Sequence, residues 1–202
     1  DNFWGPPGPT GPCGPCSEIY FDFGPKNKEE EKCKPGDPCD RFMEIWNLVF
    51  MTYYMDDKGI MTPLPQKNID TGMGLERITT VVENVNNVFE TDLFMPLIEN
   101  VRNILSEEDH VTERIISDHI RGITFLMSDG IVPANDGRGY VLRRLIRRAE
   151  KKAFEKGIRE PFLYKLVPKV VEIMSSFYPE LFPKKEYIME ILKKEEEQFL
   201  RT

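Results

Sequence analysis

The segment Asp70-Thr71-Gly72-Met73-Gly74-Leu75-Glu76-Arg77 contains residue types that could bind a cation and an anion side by side. It follows an extended run at residues 68–69 and opens an amphipathic helix. The two glycines would let the backbone approach a ligand that a Cβ atom would exclude. Arg77 would lie beside the free N–H groups of the first helical turn, and Asp70 could face a substrate ammonium. The alternative is a glycine turn followed by a solvated arginine, because a GxG pattern alone is a weak signal.

The four cysteines form a second group of candidate ligands, since all lie between residues 13 and 39. A reducing compartment disfavours disulfides, and the C-x2-C…C-x5-C spacing is close to zinc-site patterns, although the second pair is wider than usual. One interpretation is a tetrahedral Zn²⁺ site made by Cys13, Cys16, Cys33 and Cys39. The other is a CxxC in a Pro-Gly loop with two unrelated surface cysteines, and the spacing leaves both open.

A third feature is the basic segment 138–152, which holds seven basic residues and one acid, Glu150. The segment carries a charge of +6. Because the net charge of the whole chain is −7, the remaining residues together carry −13. This local charge on an acidic protein predicts a directed contact with an anion and argues against wholesale wrapping of nucleic acid. On a helix its members form two adjacent stripes at i,i+4 spacing. A solvated face is the alternative, and we expect some members to pair with Glu150 or other acids.

The elements that must position these residues are β-rich in the first half and helical in the second. Residues 1–40 predict Gly/Pro-rich loops around a strand at 18–23. Residues 43–54 predict a central strand, joined by the turn Asp56-Asp57-Lys58-Gly59 to an antiparallel partner at 60–65. Helical spacing of apolar residues begins near residue 91. We therefore predict an α+β fold, with an antiparallel sheet domain at 1–105 and an all-α domain at 106–202.

Composition places the chain among soluble globular proteins, with 40% hydrophobic and 30% charged residues. No apolar run approaches the roughly 18 residues of a membrane span, and no secretory signal opens the chain, so we expect no membrane partner and a cytoplasmic location. Because the first residue is Asp1 and not Met, we expect a piece of a longer polypeptide.

Five blocks along the chain resemble the alanyl-tRNA synthetase family, in that family's order and at close to its spacing. The block at residues 70–77 resembles motif 3 of class II aminoacyl-tRNA synthetases. The others are Asp1-Asn2-Phe3-Trp4, Thr10-Gly11-Pro12-Cys13-Gly14-Pro15-Cys16-Ser17-Glu18-Ile19, Glu44-Ile45-Trp46-Asn47-Leu48-Val49-Phe50 and Gly137-Arg138-Gly139-Tyr140-Val141-Leu142-Arg143-Arg144. Together they cover essentially the whole chain.

The resemblance implies ATP-dependent activation of alanine to alanyl-adenylate and transfer to the tRNA 3′ end. It implies that Asp70 holds the alanine ammonium and acts with Arg77 in catalysis. The alanine pocket would be lined by Trp4, Asn47, Val49, Asp70 and Gly72, and ATP would be bound by Gly74 and Arg77. ATP chemistry of this kind mostly needs Mg²⁺, for which Glu44 is our candidate ligand, with a strand-edge carboxylate as the alternative.

The resemblance also implies that residues 106–202 begin the tRNA-recognition domain. Asn135 would reach the acceptor-stem minor groove, and phosphates would be contacted by Arg138, Arg143, Arg144, Arg147 and Arg148. Motifs 1 and 2 are expected upstream of residue 1, so we expect the chain to be inactive alone. Two alternatives are a non-catalytic RNA-binding module and a zinc-stabilised structural module with a synthetase-like fold.

Overall fold

The computed structural model describes residues 2–105 and 107–201 and divides the chain into two compact units, Asp1–Thr91 and Asp92–Thr202. The division precedes the expected boundary at residues 105/106. It does so because the helix Met95–Ile104 packs against the helix His110–Ser128 that follows it. No helix in the described ranges is long and apolar enough to cross a membrane.

The first unit is a four-stranded sheet followed by one helix. Its strands are β1 (Phe3–Trp4), β2 (Gly11–Asp22), β3 (Phe42–Met55) and β4 (Met61–Met73), and the helix is α1 (Leu75–Val82). The strand order is β1-β2-β3-β4 and every pairing is antiparallel. The antiparallel sheet of the predicted α+β fold is therefore confirmed.

Strand β2 begins earlier than predicted, because the Gly/Pro-rich run at 11–16 is extended and was expected to be a loop. The register with β3 shifts between Cys13 and Cys16, which is where prolines lacking an N–H are tolerated. Gly14 faces the β3 backbone so closely that a Cβ atom there would lie 1.9 Å from the carbonyl oxygen of Phe50. Glycine is thus required for this pair of strands to meet.

The β3–β4 hairpin forms at the predicted turn. The N–H of Asp56 donates to the Ile60 carbonyl, the N–H of Gly59 donates to the Asp56 carbonyl, and Gly59 has a φ of 76°. The glycine turn that was the alternative interpretation of residues 72–74 does not form, since β4 continues to Met73 and Gly74 is the extended residue before α1, with φ −72° and ψ 116°. The hairpin continues past residue 65 and carries Asp70 and Gly72 as strand residues.

The second unit is all-helical. It contains α2 (Met95–Ile104), α3 (His110–Ser128), α4 (Gly137–Glu155), α5 (Val167–Met174) and α6 (Leu181–Leu200), with a 3-10 turn at Leu163–Leu166. Except for Cys13 and Val49, the buried apolar side chains of the described residues all lie in this unit. All of them except Phe94 and Ile98 form one cluster, contributed by all five helices and the 3-10 turn. The all-α second half of the prediction is confirmed.

Candidate functional site

Cross-strand pairing brings four of the predicted pocket residues together on β3 and β4. Asn47 lies opposite Gly72, and Val49 lies opposite Asp70. Directly opposed residues of an antiparallel pair project from the same face, as do residues two apart on one strand. All four therefore share one face of the sheet, as the spacing of Asn47 and Val49 predicted.

A β-bulge adds Glu44 to the same face. The pairing of β2 with β3 runs from Glu18–Asn47 and Ile19–Trp46 to Tyr20–Glu44, so Ile45 is passed over. Because one extra residue reverses the alternation, Glu44 faces the same side as Asn47 although the two are an odd number of residues apart. Glu18 and Tyr20 join this face from β2.

Glu18 organises the neighbouring polar groups. It accepts a hydrogen bond of 2.6 Å from the Tyr20 hydroxyl and one of 3.3 Å from Nδ2 of Asn47. The hydrogen bond to Glu18, together with desolvation, raises the pKa of Tyr20 to about 12, so its phenol stays protonated. Since Nδ2 of Asn47 is turned towards Glu18, its Oδ1 atom points elsewhere.

Two acceptor groups of this face have no partner. Oδ1 of Asn47 is buried and accepts no hydrogen bond. The exposed Asp70 carboxylate makes no hydrogen bond or ion pair with any described residue. A buried acceptor left unpaired is costly, so its persistence beside a free carboxylate favours a site for a ligand with several N–H donors. A primary ammonium is such a ligand.

Arg77 supplies the positive charge of the site. Its Nη1 atom donates to the Glu44 carbonyl at 2.8 Å and lies 3.4 Å from the Glu44 carboxylate. Its side chain is 50% exposed, and its stem packs over Gly74, where an added Cβ would come within 3.2 Å of it. No atom lies within 4 Å of the position that a Cβ on Gly72 would take, so the site is open there.

Glu44 fits a magnesium ion as a single protein ligand. It is partly exposed on the site face beside Arg77, and Mg²⁺ bound to nucleotides takes one or two protein carboxylates and completes its shell with phosphates and water. The 3.4 Å contact with Arg77 would have to loosen for such binding.

Trp4 is placed apart from the other pocket residues. It lies on β1 opposite Gly14, and β2 and β3 separate it from β4. Its backbone is thus about three strand spacings, roughly 14 Å, from that of Asp70. Trp4 could wall one end of a pocket on this sheet but does not adjoin the Asp70 carboxylate.

The described residues do not bring the four cysteines together as one group of metal ligands, so the structure does not assemble the four-cysteine zinc site that was one of the two interpretations. Cys13 is buried opposite Tyr53, and Cys16 lies further along β2 opposite Val49. Cys33 and Cys39 contact each other in the segment between β2 and β3. Among the described residues, only Glu108, His110 and Glu113 bring three metal-ligating atoms within 4.8 Å of one another, and both oxygens of Glu113 already bind Arg102.

The second unit carries the predicted basic surface on α4. Four of its arginines are exposed: Arg138, Arg144, Arg147 and Arg148. Asn135, Tyr140, Arg143, Arg144 and Arg147 line a surface pocket of about 210 Å³ at the start of this helix. Both the pocket and the exposed arginines suit an anionic ligand.

Arg143 differs from the other predicted phosphate-binding arginines. Its side chain is 15% exposed and forms a two-point ion pair with Glu195 of α6, with Nε–Oε1 at 2.7 Å and Nη2–Oε2 at 3.2 Å. Its Nη1 atom donates to Oδ1 of Asn135. A phosphate would have to displace these contacts, so the structure places Arg143 inside the pocket wall.

Some members of the basic stripes pair with acids as expected, but with acids other than Glu150: Arg143 pairs with Glu195, and Lys152 pairs with Glu155. Glu150 is 2% exposed on the apolar face of α4 and contacts Glu196 of α6, which is fully buried. Desolvation first, and then hydrogen bonding to Glu196, raise the pKa of Glu150 to about 9. It is therefore neutral near pH 7, which makes segment 138–152 more basic than its sequence count.

Sequence patterns missed four residues of these sites: Glu18, Tyr20, Glu195 and Glu196. Alternation along β2 could have placed Glu18 and Tyr20 on one face. No local pattern predicts that α6 brings two acids to α4, because the contact of Arg143 with Glu195 spans 52 residues and that of Glu150 with Glu196 spans 46.

Comparisons with known proteins relate the whole chain to one family. The family model described as "tRNA synthetases class II (A)" matches residues 1–202. Proteins named alanine–tRNA ligase are similar to the whole chain, with 50% identity in Thermotoga sp. strain RQ2, 49% in Fervidobacterium nodosum and 48% in Bacillus velezensis. The chain spans 24% of the length of each of these relatives.

Proposed function

The chain belongs to the class II tRNA synthetases, and from this premise we propose that it forms part of an alanine–tRNA ligase. Its first unit would bind alanine and ATP, and its second unit would bind the acceptor stem of the alanine tRNA. Such a reaction would take place in the cytoplasm. The observation that carries the proposal is the single sheet face that holds a free carboxylate, an unpaired amide oxygen and Glu44, to which Arg77 of α1 donates a hydrogen bond.

The amino-acid side of the site fits a small zwitterion. The alanine ammonium would donate to the Asp70 carboxylate and to Oδ1 of Asn47, which gives the buried amide oxygen its missing partner. Val49, 7% exposed and opposite Asp70, would limit the size of the side chain, and Gly72 would leave room for the substrate. Trp4 would close the β1 end of the pocket.

The nucleotide side depends on Arg77 at the start of α1. A carboxylate oxygen of alanine would attack the α-phosphorus of ATP, the bond to the bridging oxygen would break, and pyrophosphate would leave. Arg77 would stabilise the charge that develops on the departing phosphates, and Gly74 would let the backbone lie close to them. Mg²⁺, held by phosphates and Glu44, would neutralise further phosphate charge.

The second step would transfer the alanyl group to a ribose hydroxyl at the tRNA 3′ end and release AMP. The exposed arginines of α4 (Arg138, Arg144, Arg147 and Arg148) would contact acceptor-stem phosphates. Asn135 would reach the minor groove, where an RNA helix shows base edges and 2′-hydroxyls.

Alanine-dependent exchange of pyrophosphate into ATP tests the proposal in the full-length protein. Asp70→Asn removes the charge that would hold the ammonium, so the KM for alanine should rise about 10- to 100-fold, as expected for loss of a charge-assisted hydrogen bond. Asp57→Asn is the matched control, because Asp57 is exposed in the hairpin turn.

Arg77→Lys should instead lower kcat, since an ammonium cannot reproduce the forked contacts of a guanidinium. An Asp70→Asn protein with the exchange kinetics of the Asp57→Asn control would refute the proposed amino-acid site. Acceptor-stem binding without any alanine-dependent exchange would favour a non-catalytic RNA-binding module.

A further inference from the structure

We propose that Arg143 and Glu195 are positioning residues that fix the orientation of the Asn135 side chain. They hold its amide oxygen inward, so that its NH₂ group is presented to a hydrogen-bond acceptor of the bound RNA. This inference rests on the proposed function, because it concerns how the same surface recognises an acceptor stem.

The clamp begins with the ion pair between α4 and α6. Arg143 and Glu195 meet through two hydrogen bonds of 2.7 and 3.2 Å, and their side chains are only 15% and 8% exposed. Two parallel contacts define the plane of a guanidinium as well as its position. The outer edge of Arg143 is thereby aimed at the loop before α4.

That outer edge holds the loop. Nη1 of Arg143 donates to Oδ1 of Asn135, and Nη2 donates to the carbonyl of Pro133 at 3.3 Å. A guanidinium has only donors, so the atom of Asn135 that faces it must be the oxygen. The amide therefore cannot rotate by 180° without losing the contact and placing donor against donor.

The orientation determines what Asn135 can recognise. Its exposed side chain keeps two free N–H donors on Nδ2, beside the exposed arginines Arg144 and Arg147 in the 210 Å³ pocket. In the minor groove such donors fit purine N3, pyrimidine O2 or a ribose 2′-hydroxyl oxygen. They do not fit the exocyclic amino group of guanine, which is itself a donor.

A double-mutant cycle in the full-length protein tests this coupling. Asn135→Ala, Glu195→Gln and the double variant are compared by kcat/KM for tRNA in aminoacylation, each normalised to alanine-dependent pyrophosphate exchange of the same preparation. Each single variant should lose about 10-fold, the effect of one well-oriented hydrogen bond. The double variant should lose no more than Asn135→Ala alone, because Glu195 acts through Asn135.

The matched control is Glu190→Gln on the same helix. Glu190 pairs with Lys194 on the exposed side of α6, where both side chains are 65% exposed, so this variant should charge tRNA normally. Asn135→Asp is a second test that leaves the helices unchanged. It keeps an oxygen for Arg143 but has no donor, so it should lose as much activity as Asn135→Ala.

Three outcomes overturn the inference. Losses that multiply to about 100-fold in the double variant would show that Glu195 acts independently of Asn135. Normal charging by Glu195→Gln would show that the ion pair does not position Asn135. Normal charging by Asn135→Asp would show that the N–H donors of Asn135 are not used. If Asn135→Ala itself charged tRNA normally, the proposed acceptor-stem contact would fail as well, whereas the other outcomes leave the proposed function intact.

Discussion

The buried pair of Glu150 and Glu196 makes the stability of the helical unit depend on pH. Burial raises the pKa of Glu196 as well, but its carboxylate accepts backbone N–H groups from Phe162, Leu163 and Tyr164 at 2.8, 2.7 and 3.0 Å, which oppose this shift by favouring the charged form. Glu150 is therefore the member that holds the proton and donates it to Glu196. Glu150→Gln keeps a donor of similar shape and removes the titration.

The expected magnitude follows from the pKa of Glu150. It is about 9 in the folded chain against an ordinary value of 4.5, so between these values the unfolded chain has lost a proton that the folded chain keeps. The stabilisation that Glu150 contributes is complete below pH 4.5, its ordinary pKa, and is lost as the pH rises towards its pKa in the folded chain, about 9. The free energy of unfolding should fall by about 1.4 kcal/mol per pH unit, or about 3 kcal/mol from roughly pH 6 to 8.

Urea unfolding of the chain at the two pH values, followed by the circular dichroism of the helices, measures this dependence. The difference in the free energy of unfolding between Glu150→Gln and the unsubstituted chain should shift by about 3 kcal/mol in favour of the variant when the pH is raised from 6 to 8. Glu155→Gln is the control, because Glu155 is exposed near the end of the same helix and pairs with Lys152. The pKa of Glu155 is lowered, so this variant should show no such gain. Parallel pH profiles for the unsubstituted chain and Glu150→Gln would refute the buried proton.

Two further predictions concern glycines that have no room for a side chain. Gly14→Ala would place a Cβ 1.9 Å from the Phe50 carbonyl oxygen, so we expect β2 and β3 to separate and thermal unfolding to show a loss of about 3 kcal/mol or more. Gly139→Ala would place a Cβ 2.5 Å from the Val132 carbonyl oxygen and displace the loop that carries Asn135. We expect kcat/KM for tRNA to fall about 10-fold in the full-length protein while pyrophosphate exchange persists.

Matched glycine substitutions control both experiments. Gly5→Ala and Gly122→Ala add a Cβ where no atom lies within 4 Å, and neither glycine has a positive φ. Both should leave the first unit and tRNA charging intact, and Gly122→Ala should stabilise α3 slightly because alanine is the better helix former. A Gly14→Ala chain as stable as Gly5→Ala would contradict the close approach of β2 and β3. Similar charging by Gly139→Ala and Gly122→Ala would contradict the role of the loop.

The elements themselves follow from short stretches of sequence. The apolar run at 43–54 predicts β3, the Asp56–Gly59 turn predicts the hairpin, and the i,i+4 spacing of 138–152 predicts α4. Each depends on interactions within a few residues, which local composition reveals. The Gly/Pro run at 11–16 was mispredicted as a loop because its extended conformation depends on the fit to β3.

The candidate alanine site was predictable in part. The two-residue spacing of Asn47 and Val49 places them on one face of a strand. The opposition of Asp70 to Val49 depends on the register of the hairpin, and the position of Glu44 depends on the bulge at Ile45. Register and bulges are set by how two strands fit together, so neither strand alone specifies them.

The sequence by itself determined the α+β class, the family and the residue types of both surfaces, since motifs and periodicity are local properties. Only the tertiary structure decided the state of three charged side chains. It pairs Arg143 with Glu195, pairs Arg77 with Glu44, and buries Glu150 as a neutral acid. Charge and availability depend on desolvation and on partners 33 or more residues away, and these are fixed only when the elements pack.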